Sequence, residues 1–182
     1  PVTEFRASRR SAAPFRCRLV VMAREPVAGR VKTRLGRQIG TVAATGFYRM
    51  AARSTLRRLA GVPFWQTHLA VTPDAVRATR FFARGAVRLP QGGGGLDRRM
   101  QRPMRTLPPG PVCVIGTDIP GIAVAHVRRA FGLLGRCDVV LGPATDGGFW
   151  LVGMRRRPRV VDPYAQVPWS CADTLEAVVA NI

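Results

Sequence analysis

The chain has 182 residues, 47 % of them hydrophobic and 21 % charged, and its 29 Lys and Arg against 10 Asp and Glu give a formal net charge of +19. That length suits one domain, and the apolar content can bury about 70 % of the unfolded surface, which excludes disorder as the default. No run approaches the roughly 18 consecutive apolar residues of a membrane-spanning helix and no secretory leader opens the sequence, so the expectation is a soluble cytoplasmic protein.

Residues 1–16 are polar, Arg-rich and without period; they read as a disordered or loosely attached arm before a single domain over 17–182. Residues 17–23 (CRLVVMA) form a short apolar run, the pattern of a buried strand. A loop follows from 24 to 40. Residues 41–60 read as a helix with Phe47, Met50, Ala51 and Leu59 inward and Arg49, Arg53 and Arg57 on the wet face, closed by Gly61 and Pro63. Strand 65–72, a short helix over 74–82, strand 86–89 and the glycine run of 91–95 come next. Such a run costs backbone entropy, so it serves either as a flexible connection or as a place where the backbone approaches a ligand closely. A helix over 96–107, the strand PVCVIG over 111–116, a helix over 124–134 with Val124, Val127, Phe131 and Leu134 inward, strands 138–143 and 149–154, and a helix over 172–182 complete the chain. Short uninterrupted apolar strands alternating with helices give an α/β fold with three layers around a mostly parallel sheet.

The cationic excess raises nucleic-acid binding as a possibility, because Lys and Arg release counterions from phosphates. Lys32 is the only lysine among the 29 basic residues, however, and arginine is spread over the whole length with few aromatics between. That is the pattern of a coding bias and a solvated surface, which disfavours a nucleic-acid groove. The segments 6–10 and 155–159 read as exposed tail and loop. Cys17, Cys113, Cys137 and Cys171 lack the close spacing of zinc or redox motifs and read as small buried thiols. His68 and His126 have no acidic sequence neighbour and support neither a metal site nor a catalytic dyad.

In parallel sheets ligands lie beyond the carboxyl ends of the strands, which selects three loops. The first, 24–34, brings Arg30, Lys32 and Arg34 around Gly29, a composition suited to a di- or triphosphate although it has neither the GxxxxGK[ST] nor the GxGxxG spacing. The second, GTDIPG, places Asp118 after a strand, where it can cap the following helix or ligate a hard cation. The third, PATDGG, repeats the arrangement with Asp146, for which a plain turn is the competing reading.

The stretches VVMAREPVAGRVKTRLG, QGGGGLDRRM, VIGTDIPGI, LGPATDGGFWLVG and VPWS, in that order, resemble the radical-SAM/selenodomain-associated transferase family, a bacterial group with the GT-A nucleotide-diphospho-sugar transferase fold. The resemblance implies a nucleotide across the carboxyl edge of the sheet. Gly29, Arg30 and Lys32 would hold phosphate, with Arg34 beside them, and Gln91, Gly92 and Arg99 would line the nucleotide. Asp118 would hold Mg²⁺ or Mn²⁺, and Asp146 would support the metal or the acceptor. The chain departs from the family pattern at Arg24, where lysine is usual, at Gly95, Leu96 and Asp97, where Asp-Leu-Gly is usual, and in ending at Ile182 without the customary C-terminal edge strand. The expected function is a metal-dependent transferase that takes a nucleoside triphosphate or nucleotide-sugar and moves a nucleotidyl or glycosyl group to an acceptor the sequence does not define. The alternatives are a nucleotide- or partner-binding module of the same fold without turnover, and a basic nucleic-acid-binding protein. The sequence leaves the oligomeric state open.

Overall fold

Strand β1 (Arg18–Arg24) carries Leu19 and Val21 toward one face and Val20 toward the other, and all three are fully buried, so a helical layer has to cover each side. In the computed structural model, which describes residues 15–75, 82 and 86–182, those layers are present. After β1 come α1 (Thr33–Ile39), α2 (Thr41–Leu59), β2 (Gln66–Thr72), β3 (Val87–Pro90) and α3 (Leu96–Thr106). Then follow β4 (Val112–Ile115), α4 (Val124–Leu133), β5 (Val139–Pro143), β6 (Phe149–Met154) and α5 (Thr174–Ala180).

The six strands form one sheet in the order β3-β2-β1-β4-β6-β5. Pairings β3–β2, β2–β1 and β1–β4 are parallel, whereas β6 runs antiparallel to both β4 and β5. On one face α2 and α4 supply Leu56, Leu59 and Phe131 against Leu19, Val21, Leu69 and Ile115. On the other, α3 and α5 supply Met100, Met104 and Val178 against Val20, Val114 and Val152. Each such large apolar side chain, fully buried, stabilises the fold by about 2 kcal/mol. The α/β sandwich expected from the sequence is therefore the observed architecture. Among the described residues no helix is long and apolar enough to cross a membrane.

Register decides what the sheet can present. Arg24 is level with Thr72, Val71 with Pro90, Val21 with Ile115, Ile115 with Leu151, and Pro143 with Phe149. The carboxyl ends of β1 to β5 and the amino end of β6 thus share one edge, and the loops beginning at 25, 73, 91, 116 and 144 all emerge there.

Four expectations change. Loop 24–40 contains the short helix α1. In α2 the buried residues are Ala44, Thr45, Tyr48, Ala52, Thr55, Leu56 and Leu59, while Phe47 and Met50 are exposed; the inward stripe follows small residues and a tyrosine, which the apolar pattern alone hides. Of the four thiols, all free, only Cys113 is fully buried, while Cys137 and Cys171 are exposed. Arg156 is half-buried and structural, unlike the exposed loop expected for its neighbourhood. Most of the helix expected over 74–82, and residues 1–14 of the arm, lie outside the described residues.

Candidate active site at the carboxyl edge of the sheet

The loop after β1 is shaped by its backbone before any ligand is considered. Arg30 donates its N–H to the Val27 carbonyl at 3.0 Å, closing a turn that Gly29 completes at φ +76°. Val31 is buried and anchors the loop. Lys32, at φ 49°, then turns the chain into α1 in a left-handed conformation that costs a non-glycine residue about 1 kcal/mol or more. Its Nζ is directed at Oδ2 of Asp118, with which it forms a charge-assisted hydrogen bond. The residues are 86 apart in sequence, and both side chains are partly open to solvent, at 29 % and 40 %.

Tyr48, buried on α2, fixes this meeting. Its hydroxyl donates to the Arg24 carbonyl at 2.9 Å and accepts from the Arg24 N–H at 2.8 Å and from the Thr117 hydroxyl at 3.3 Å. Thr55, two turns further along the same face of α2, donates to the Thr117 carbonyl at 3.1 Å. One phenol oxygen therefore closes the first loop and the GTDIPG loop on the same support, and all of its hydrogen-bonding capacity is used.

Beside the pair lies an open cleft of about 550 Å³. Its floor is Val114, Ile115 and Gly116 at the end of β4; Met22, Arg34, Leu96 and Met100 form one side, and Asp146, Phe149 and residues 169–172 the other. Asp146 accepts a hydrogen bond from the Gly148 N–H at 3.1 Å, which holds the turn between β5 and β6. Gly147, at φ +81°, has no room for a Cβ, which would collide with the Ala172 carbonyl, so this turn packs directly onto the 169–174 segment.

Of the residues the sequence singled out, Gly29, Arg30, Lys32, Arg34, Asp118 and Asp146 all stand on this edge, with Arg34 and Asp146 in the cleft and Lys32 on Asp118. The 91–95 segment emerges on the same edge but is occupied internally. Gln91 is buried and its Nε2 donates to the carbonyls of Ala23 and Ala70, both at 2.8 Å. Gly92 lies beneath the guanidinium of Arg102, which donates to the Gln91 carbonyl, and Arg99 Nε donates to Gly94 at 2.9 Å. From this stretch Leu96 and Met100 are the side chains that reach the cleft.

A hard divalent cation takes one or two carboxylates and completes its shell with water and phosphate oxygens. Asp118 and Asp146 supply that donor chemistry from two turns on the same edge, whereas no group of three His, Cys, Asp or Glu that could hold a metal occurs among the described residues. The donor set fits an ion that arrives with a phosphate ligand and does not fit a closed structural site.

A family model matches residues 55–171, more than half of the chain. The protein belongs to the DUF2064 family. That family is described as an uncharacterized protein conserved in bacteria. A crystal structure described as a "putative nucleotide-diphospho-sugar transferase" from Desulfovibrio desulfuricans G20 superposes on the DUF2064 chain with a TM-score of 0.82 at 27 % identity, covering 92 % of this chain and 75 % of that one. Rv0371c from Mycobacterium tuberculosis H37Rv has a TM-score of 0.46 at 19 % identity over 79 % of this chain and 73 % of its own, and adds nothing to the fold assignment. No curated protein matches. The DUF2064 chain thus has a nucleotide-diphospho-sugar transferase-like fold.

Sequence reasoning used VPWS only as part of a resemblance and did not expect Trp169, Ser170 and Cys171 of the DUF2064 chain to line the cleft. It also missed Tyr48. The available signal for Tyr48 was its i, i+4 spacing with Ala44 and Ala52 on the face away from Arg49, Arg53 and Arg57.

Proposed function

We propose that the chain is a transferase that binds a nucleotide-sugar and passes the glycosyl group to an acceptor, with Mg²⁺ or Mn²⁺ bound together with the nucleotide. The observation that carries this reading is the contact of Lys32 with Asp118 on the carboxyl edge, beside an open cleft. One is the cation a diphosphate needs and the other the carboxylate a hard metal needs. Without ligand each satisfies the other. A diphosphate, with more negative charge than one carboxylate, draws Lys32 away and leaves Asp118 to face the metal. Arg30 and the Gly29 turn flank the phosphates, and Arg34 reaches from the cleft. Asp146, in the cleft, orients the acceptor and takes its proton. A bound divalent ion supplies neutralisation of the charge that builds on the leaving diphosphate.

The transferase-like fold of the neighbouring solved structure supports a sugar donor, and the motif order supports membership of the radical-SAM/selenodomain-associated group. Four free thiols suit a reducing cytoplasm. The test is thermal stability in the presence of UDP, GDP, GTP and UDP-glucose, each with and without Mn²⁺. Nucleotide stabilisation that requires Mn²⁺ and disappears in Asp118→Ala and Lys32→Ala is expected. Equal stabilisation by tripolyphosphate and heparin would overturn the reading in favour of nonspecific charge. Specific binding with no product from any donor would assign the chain to the nucleotide-binding module without turnover, and pyrophosphate release from GTP would assign nucleotidyl transfer.

A further inference from the structure

The two halves of the site differ in chemistry. Lys32, Arg30 and Asp118 stand outside the lining of the cleft, and among the described residues that do line it only Arg34 and Asp146 are charged, in a chain with 29 cationic residues. The apolar part of the lining is Met22, Leu96, Met100, Phe149 and Trp169 together with the floor of β4. Phe149 and Trp169 meet edge to face with ring centroids 6.2 Å apart, and Trp169 leans on the buried Tyr164 at 5.9 Å, so the indole is held from behind while remaining half-exposed toward the cleft. The aromatic and aliphatic part of this surface rewards removal of apolar area from water, with an added edge-to-face contact for a ring, while Ser170 and Thr174 supply hydroxyls on the same lining. The volume, about 550 Å³, holds a ring system and a short substituent.

We propose that the acceptor carries an apolar ring, seated against Trp169 and Phe149, with its hydroxyl or amine toward Asp146. The word acceptor rests on the transferase reading above; the affinity of the cleft for an apolar ring does not. The cleft also contains its own reporter. Cys171 is exposed on its lining, and Cys137, equally exposed, lies between α4 and β5 outside it.

The experiment measures iodoacetamide alkylation of the full chain by peptide mass spectrometry in the presence of phenyl β-D-glucopyranoside or methyl β-D-glucopyranoside, which share every hydroxyl and differ by the ring. The phenyl compound is expected to slow alkylation of Cys171 several-fold in a saturable manner and leave Cys137 unchanged, while the methyl compound protects neither. Leu96→Asp, at a position 46 % exposed and therefore safe for folding, is expected to remove the protection. Protection by both compounds, protection by neither, or protection that survives Leu96→Asp overturns the proposal. UDP stabilisation measured on the same samples separates the two readings: its loss with ring protection intact ends the transferase reading and leaves the apolar site standing.

Discussion

The arginines flanking the candidate site, Arg30 and Arg34, and the pair Arg18 and Arg156 at the amino edge of the sheet are used in opposite ways. At the carboxyl edge Arg30 and Arg34 are exposed, and the loops between strands are kept open by left-handed turns. At the amino edge the guanidiniums are turned inward onto carbonyls. Arg18, 2 % exposed, donates to Arg16 at 2.8 Å and to Pro109 at 2.6 Å. Arg156 adopts φ 66° and donates to the carbonyls of Met104, Leu107, Pro108 and Gly110 at 2.5 to 2.9 Å, satisfying the end of α3 and the entry to β4. Burial lowers the pKa of both groups. The difference teaches that one residue type, abundant for reasons unrelated to function, becomes structural or ligand-facing according to whether unpaired carbonyls lie within its reach.

This contrast predicts a ranking of effects. Arg156→Ala should be the most damaging, because it leaves several carbonyls without a donor; a loss of about 3 kcal/mol in urea unfolding is expected, with nucleotide affinity unchanged in the folded fraction. A loss below about 1 kcal/mol would mean that the amino edge does not depend on its guanidinium. Next is His68, on β2 and 4 % exposed, whose ring nitrogens have no hydrogen-bond partner among the described residues. Burial first, and the charge of Arg18 second, push its pKa down to about 4. The unfolded chain binds this proton from near pH 6.5 and the folded chain does not, so stability is full above that pH and falls as the solution is acidified toward 4. The loss there reaches about 3 kcal/mol, and His68→Leu should flatten that part of the pH profile.

Smaller effects belong to the carboxyl edge. Tyr48→Phe removes the acceptor for the Arg24 N–H and the donor to its carbonyl; about 1 to 2 kcal/mol of stability should be lost, together with a weaker response to nucleotide in the thermal assay. Smallest is Lys32→Ala, which breaks a partly solvated ion pair and should change stability by less than about 1 kcal/mol while abolishing nucleotide stabilisation. Lys32→Ala as damaging to folding as Arg156→Ala would erase the distinction between the two edges.

Much of this was legible in the sequence. Apolar strands such as CRLVVMA and PVCVIG announce a buried sheet, and the rule that ligands gather at strand carboxyl ends selected the loops that carry Lys32, Asp118 and Asp146. What was not legible depends on long-range packing. Tyr48 looks like one aromatic among several until α2 is seen to bury small residues beside it, with Phe47 and Met50 outside. The glycine run of 91–95 reads as a flexible connection or a place of close ligand approach, and nothing in it announces that Arg102 lies against Gly92. Arg156 sits in a run of arginines whose composition says surface, and only the carbonyls of a segment some fifty residues earlier draw it in.

The saturated hydroxyl of Tyr48 has a mechanical consequence. Because a single atom ties Arg24 and Thr117 to the same helix, a tilt or slide of α2 carries the roots of both loops along together. The spacing of those roots is thereby insulated from breathing of the outer helical layer, while the Lys32 side chain can still swing from Asp118 to a ligand.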